Sequence, residues 1–206
     1  MIESIHWLGH DSFRIDAAVT VYIDPWKLAP GSVPADLILI THQHSDHFSA
    51  EDIRSIRKPE TEVVANAAVA KDLRGGTQVH VVKPGDRLTV KGIEIHVLPA
   101  YNLDKRFHPR SAGHVGYVLT VGGQRIYHAG DTDAIPEMEN LRPDIALLPV
   151  SGTYVMDAEE AVEAVRLLQP KLAIPMHYGE IVGSQADAER FQQLSPVPVR
   201  ILELER

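Results

Sequence analysis

Residues Thr41-His42-Gln43-His44-Ser45-Asp46-His47 constrain this chain more than any other stretch, because three imidazoles and a carboxylate follow directly on the apolar run Leu37-Ile38-Leu39-Ile40. Four consecutive aliphatic residues read as a strand buried on both faces. If that strand continued, His42 and His44 would go to one face and His47 to the other, since side chains alternate. The polar side chains can therefore converge only if the chain turns as it leaves the strand. Imidazole nitrogen and carboxylate oxygen then form a donor set suited to zinc, with manganese or iron also accommodated. The chain has no cysteine, so any ion must be held by His, Asp or Glu.

Around this loop the apolar period switches repeatedly between two and 3.6. Strands are expected at Ile2–Leu8, Ser12–Ile15, Val19–Ile23, Leu37–Ile40, Val79–Val82, Arg87–Val90, Ile93–Leu98, Val115–Val121, Gln124–His128, Ile145–Pro149, Leu172–Pro175 and Val199–Leu202. Gly122-Gly123 marks a hairpin. Helices are expected after Ser49, to about Arg57, and after Asn66, ended by Gly75-Gly76; two more follow Asp157, over Ala158–Leu168, and Ser184, to about Leu194. Residues 1–206 suffice for a single α/β domain with one core.

Composition narrows the function classes. A net charge of −8 disfavours a general nucleic-acid partner, although Arg106, His108 and Arg110 lie close together. No apolar run approaches the roughly 20 residues of a membrane helix, so no membrane partner is expected. The opening Met1-Ile2-Glu3-Ser4-Ile5-His6-Trp7 lacks the pattern of a signal peptide, which points to a cytoplasmic protein. No Gly-x-Ser-x-Gly elbow is present to supply a serine nucleophile.

His-x-His-x-Asp-His after a short hydrophobic strand resembles the signature of the metallo-β-lactamase superfamily, and other segments fall in the family's order. Ile23-Asp24-Pro25 is similar to its early strand-end aspartate, Tyr127-His128-Ala129-Gly130-Asp131-Thr132 to the motif of its bridging aspartate, and Ile174-Pro175-Met176-His177-Tyr178-Gly179 to its terminal strand-end histidine. Trp7-Leu8-Gly9-His10 resembles the opening of one branch, metal-dependent hydrolases related to ascorbate-6-phosphate lactonase and to the phospholipase D acting on N-acyl-phosphatidylethanolamine. The resemblance implies a four-layer αββα sandwich with two divalent metal ions along one edge, zinc foremost. It implies that His42 and His44 bind the first ion, that Asp46, His47 and His177 bind the second, and that Asp131 bridges them. The implied reaction is hydrolysis of a phosphodiester, lactone or amide in a small molecule by a hydroxide bridging the ions, with Asp46 and Asp131 as catalytic carboxylates. Antibiotic-cleaving zinc enzymes of the common type carry cysteine where Asp131 stands, which sets this chain apart from them.

One ligand of the family pattern is missing. A third histidine for the first ion usually ends a strand after a proline, but here Leu98-Pro99-Ala100-Tyr101-Asn102 contains none. His108, in a polar loop, is the first candidate to replace it. It stands ahead of His114, expected to face solvent at a strand start, and His96, expected to be partly buried within a strand. A loop folded over the site would bring Arg106 and Arg110 beside it and favour an anionic substrate. Without His108 the site would be degraded, and the chain a non-catalytic metal-binding or scaffold protein. Asp24 is expected to hold the metal loop by hydrogen bonds, His10 to line the pocket and His128 to be structural. Tyr154 and Tyr178 are either donors to a substrate oxyanion or packed aromatics.

Overall fold

Aliphatic alternation builds the first sheet of the computed structural model, which describes residues 2–73 and 78–205. Strands β1 (Ile5–Gly9), β2 (Ser12–Asp16), β3 (Thr20–Ile23), β4 (Ala35–Ile40), β5 (Arg57–Asn66) and β6 (Gln78–Val82) lie side by side in chain order. The first three form an antiparallel meander, and β3 to β6 run parallel. Leu37 and Leu39 of β4 face inward with Val64, whereas Ile38 and Ile40 face outward with Val63 and Ala65. Helices α1 (Ala50–Ile56) and α2 (Ala67–Asp72) cover that outer face through Ile53, Ile56 and Val69. β4 thus has apolar neighbours on both sides, the physical reason for its unbroken aliphatic run.

The second sheet runs in the order β12-β11-β10-β9-β8-β7, with β7 (Arg87–Val90), β8 (Ile93–Pro99), β9 (Val115–Val121), β10 (Gln124–His128), β11 (Ile145–Pro149) and β12 (Leu172–Met176). Strands β7 to β10 are antiparallel, and β10 to β12 are parallel. Helix α3 (Ala158–Leu168) packs on β11, and α4 (Gln185–Leu194) on β12. An Asp157–Glu160 capping box starts α3, Ala161, Val165 and Leu168 are buried, and Gln169 in the left-handed region ends it before Pro170. The result is the expected αββα sandwich. No helix among the described residues is long and apolar enough to cross a membrane.

Topology brings the functional strand ends to one seam. β1, β3 and β4 point the same way, so the turn after β1, Asp24 after β3 and Thr41 after β4 share an edge. β10, β11 and β12 bring Asp131, Ser151 and His177 to the facing edge. The seam is hydrogen-bonded shut: Val115 N donates to Thr41 O (3.2 Å), His177 N to His10 O (3.0 Å) and the Tyr117 hydroxyl to Ile40 O (2.7 Å).

Three sequence expectations need correction. β5 was not anticipated, because its apolar part is only Val63-Val64-Ala65, too short to show a period, and Pro59 obscures its start. The first strand begins at Ile5 after a short 3₁₀ turn over Ile2–Ser4. Val199–Leu202 is not a strand: this C-terminal stretch forms only isolated bridges with the sheets, Ala173–Val199 and Trp7–Leu204 among the described residues. The Gly75-Gly76 helix stop lies outside the described residues.

Gly116 in β9 lets the Gly130-Asp131 turn approach. A Cβ there would sit 2.6 Å from Ala129 O and 2.8 Å from His128 O, both backbone atoms that cannot swing aside. Gly116→Ala is expected to destabilise the fold by about 1–3 kcal/mol, as overpacking does. Urea denaturation checks this, and an unchanged midpoint would show that the strand gap opens freely.

Candidate metal centre

Asp24 organises the 41–47 loop. Its buried carboxylate accepts from Thr41 N (2.8 Å), the Thr41 hydroxyl (2.6 Å) and His47 Nδ1 (2.8 Å). These bonds turn the chain out of β4, and His44 O then accepts from His47 N (3.0 Å) and Phe48 N (2.8 Å) to close the turn. In the neutral ring the Asp24 contact keeps the His47 proton on Nδ1, so that the Nε2 lone pair faces the seam. His10, Asp24, His108 and His177 all have φ between 47° and 61°. Left-handed backbone at non-glycine residues is costly and collects at functional sites.

Two groups of donors meet here. In the first, His42 Nε2 lies 2.9 Å from His44 Nδ1, which lies 3.1 Å from His108 Nε2. Asp131 Oδ2 is 3.2 Å from His108 Nε2 and 3.8 Å from His42 Nε2. A tetrahedral ion with bonds of about 2.0–2.1 Å separates its ligands by about 3.3 Å, so these spacings suit one ion within the four atoms. His108 is buried, and its Nδ1 donates to Tyr154 O (3.1 Å), leaving Nε2 free to ligate. The Asn102 side chain holds this loop by donating to Phe107 O (2.9 Å) and Tyr154 O (2.7 Å).

In the second group, His47 Nε2 lies 3.2 Å from Asp131 Oδ1, and His177 Nε2 lies 3.5 Å from Asp131 Oδ2. Ser151 Oγ contacts His177 Nδ1 at 2.8 Å, so this ring too turns Nε2 inward. Asp11 completes the group. Asp46 stands slightly apart, with its Oδ2 3.3 Å from His10 Nε2 and 3.8 Å from His47 Nε2, in a cluster with His10 and His177. His47 Nε2, His177 Nε2 and Asp131 Oδ1 are buried without a hydrogen-bond partner. Orphaned donors of this kind, aimed at one point, fit a cation and little else.

Electrostatics divide the rings. Burial, then the charge of His47, pushes His42 well below the ordinary histidine value, and burial with His108 lowers His44. On the other side burial acts in the opposite direction to the carboxylates, and the carboxylates win. Asp131 and Asp11 raise His47 well above its usual value and His177 to about 9. Burial likewise opposes ionisation of Asp46, but the His10 contact and His47 outweigh it and bring the carboxyl down to about 2.

A cavity of about 320 Å³ opens on these groups, lined by His44, Asp46, His108, Asp131, Phe107, Tyr154 and Ile181, among others. A larger groove of about 870 Å³ beside Trp7, Tyr178 and α4 carries no metal-donor cluster among the described residues. Tyr178 stacks on Trp7 at 4.8 Å and lines that groove, so it is a packed aromatic. His128 is structural, as expected: its Nε2 donates to Asp11 O (2.9 Å) and its Nδ1 accepts from Gly130 N (3.2 Å). His114 does not face solvent. It is buried and stacks on His42 at 4.4 Å, and burial with the charges of His108 and His44 lowers it to about 4. The expected arginine rim is also absent. Arg110 donates to Glu137 (2.6 Å) and covers the Tyr101 ring, and neither Arg106 nor Arg110 lines the cavity. The anionic-substrate expectation therefore loses its support, since the rim is formed by Phe107, Tyr154 and Ile181.

Paired six-stranded sheets with a histidine–aspartate seam define a protein of the metallo-β-lactamase fold. A profile of the β-lactamase superfamily domain matches residues 4–177. A UPF0173 metal-dependent hydrolase of Thermoplasma acidophilum is 38% identical, over 93% of this chain and 90% of its own. A crystal structure of a metal-dependent hydrolase from Parabacteroides distasonis superposes with a TM-score of 0.85 at 36% identity, covering 98% of this chain and 93% of the other. The metallo hydrolase Igni18 of Ignicoccus hospitalis superposes with a TM-score of 0.80 at 26% identity, covering 98% and 95%. The chain belongs to the β-lactamase superfamily, in its UPF0173 family of metal-dependent hydrolases.

Asp24→Asn tests the support of the loop. An amide cannot accept all three hydrogen bonds without turning an NH₂ toward a donor. The variant is expected to hold metal about 10–100-fold more weakly, the usual cost of losing such an orienting partner. Competition with a chromophoric chelator measures it, and wild-type retention would remove Asp24 from this role.

Proposed function

We propose that this chain hydrolyses a small molecule at a phosphodiester, lactone or amide bond, with two divalent metal ions at the seam. The donors suit zinc first and manganese or iron as well. The observation that carries this reading is the position of Asp131, whose carboxylate belongs to both donor groups at once. In this reading His42, His44 and His108 hold the first ion, Asp46, His47 and His177 hold the second, and Asp131 lies between them. When bound, the ions would supply hydroxide near neutral pH and polarise the scissile carbonyl or phosphoryl oxygen.

The chain's own residues then have distinct tasks. Asp24, Ser151 and the Tyr154 carbonyl hold the Nδ1 sides of His47, His177 and His108, so each ring presents Nε2 inward. Asp46 is half-buried at the cavity wall and ionised, and its carboxylate orients the attacking water as an acceptor. Phe107, Tyr154 and Ile181 take up an apolar part of the substrate and exclude bulk water. The presence of His108 within the first donor group supports the catalytic reading over that of a non-catalytic scaffold with a degraded first site.

Elemental analysis of protein purified without chelator is expected to give two ions per chain, and a panel of phosphodiesters, lactones and acyl amides to reveal hydrolysis. His108→Ala should retain about one ion and lose most turnover. A metal content near zero after supplementation would overturn the reading.

The same site predicts a proton linkage. Without metal, His177 near 9 and the raised His47 carry protons at pH 7, whereas ligation requires neutral rings. Metal binding should therefore release protons, and apparent affinity should rise as pH increases toward about 9. Titration calorimetry in buffers of different ionisation enthalpy would show this as buffer-dependent heat. Identical heats would contradict it.

A further inference from the structure

The loop that carries His108 cannot be held by apolar burial, because its two large apolar side chains, Leu103 and Phe107, are 61% and 46% exposed. His108 itself has φ 54°, a left-handed conformation that costs a non-glycine residue energy and persists only when its surroundings impose it. Asn102 ties the two ends of the loop together, donating its N–H to His108 O (2.9 Å) and its side-chain amide to Phe107 O. The middle of the loop needs an anchor of its own.

Lys105 is that anchor. Its ammonium donates to Asp133 and to both carboxylate oxygens of Glu160 (2.9 Å each), the loop's one ionic tie among the described residues. Both partners are fixed from elsewhere. Asp133, two residues after Asp131, is buried; its carboxylate accepts from Leu103 N (2.8 Å) and its N–H donates to Tyr101 O (3.0 Å). Glu160 belongs to the capping box that opens α3, where it accepts from Asp157 N (2.9 Å). Burial opposes the charge of Lys105, but Asp133 and Glu160 outweigh it and raise the ammonium above its ordinary value.

We propose that Lys105 is a positioning residue for the first metal ion: clamped between α3 and the 131–133 turn, it holds His108 Nε2 at the 3.2 Å from Asp131 Oδ2 that one ion can span. This rests on the two-ion reading above, in which His108 and Asp131 are ligands, and deepens it. Ligands already held at their binding distance lose little freedom when the ion arrives, so affinity rises without any added donor. Removing the ammonium leaves two carboxylates facing each other and the loop without its tie to α3. The second ion does not use His108, so it is indifferent to Lys105.

Zn²⁺ calorimetry and Co²⁺ absorption titration of the chelator-stripped full chain test this in wild type, Lys105→Met, His108→Ala and the double variant carrying both substitutions. Wild type should bind two ions. Lys105→Met should bind one of them at least about tenfold more weakly, the usual scale for losing an orienting partner, and the other within about threefold of wild type. The weakened ion should be the one that His108→Ala loses, identified by its Co²⁺ spectrum, and in the His108→Ala background Lys105→Met should change nothing further. Lys105→Gln takes the place of Lys105→Met should thermal unfolding show that the latter does not fold. Unchanged affinities in the Lys105 variant, equal weakening of both ions, or a loss that persists in the His108→Ala background would overturn the positioning role while leaving the two-ion reading intact. Two ions bound as tightly by His108→Ala as by wild type, or none bound by wild type, would overturn both.

Discussion

Asp24 accepts three hydrogen bonds at the end of β3, and the direction of the entire 41–47 loop follows from them. Thr41 is pulled back toward the sheet, so His42, His44 and His47 leave β4 on a turn. The same carboxylate holds the proton of His47 away from the seam. Asp131 and His177 arrive from the second sheet, and their meeting with the loop depends on hydrogen bonds across the seam, including Val115 to Thr41 and His177 to His10. A single buried acceptor on one sheet thus sets the frame that the other sheet completes.

The seam is electrostatically uneven. His42, His44 and His114 form a stacked or edge-packed group in which burial and neighbouring imidazoles suppress charge. His47 and His177 sit against Asp131 and Asp11, where carboxylates favour charge. Asp131 joins the two halves, and its carboxyl is held far below the usual range because His47 and His177 outweigh the cost of its burial. One end of the centre is consequently rich in neutral nitrogen donors, and the other in negative oxygen.

Much of this could be read in the sequence. The aliphatic run of β4 and the histidines behind it defined a strand and its turn, because burial on both faces leaves no polar position within the strand. The hairpin between β9 and β10 and the capped helix α3 were equally plain, since their signals are local. Asp24 could be assigned to supporting the loop from its place at a strand end. What could not be read depended on pairing between distant segments. Asp11 looks like an ordinary turn residue until β12 and β10 dock on that turn. His114 looks like the exposed first residue of a strand until the ring of His42 covers it. Arg110 looks like a cation for the cavity until Glu137, 27 positions away, draws it aside. β5 eluded pattern reading because its burial comes from β4 and β6 on either side rather than from a periodicity of its own.

The order in which the donors occur along the chain bears on when in folding a metal site can form. His42, His44 and His47 lie close together near the N-terminus, but every set of inward-facing donors also needs a residue from the second half, His108, Asp131 or His177. Contacts this distant in sequence form late, because closing long loops costs entropy before it brings any reward. A partly folded chain would offer only the histidine loop, a weak and unselective chelator. Selectivity arises when the two sheets dock, so metal choice is a property of the finished fold and not of the nascent segment.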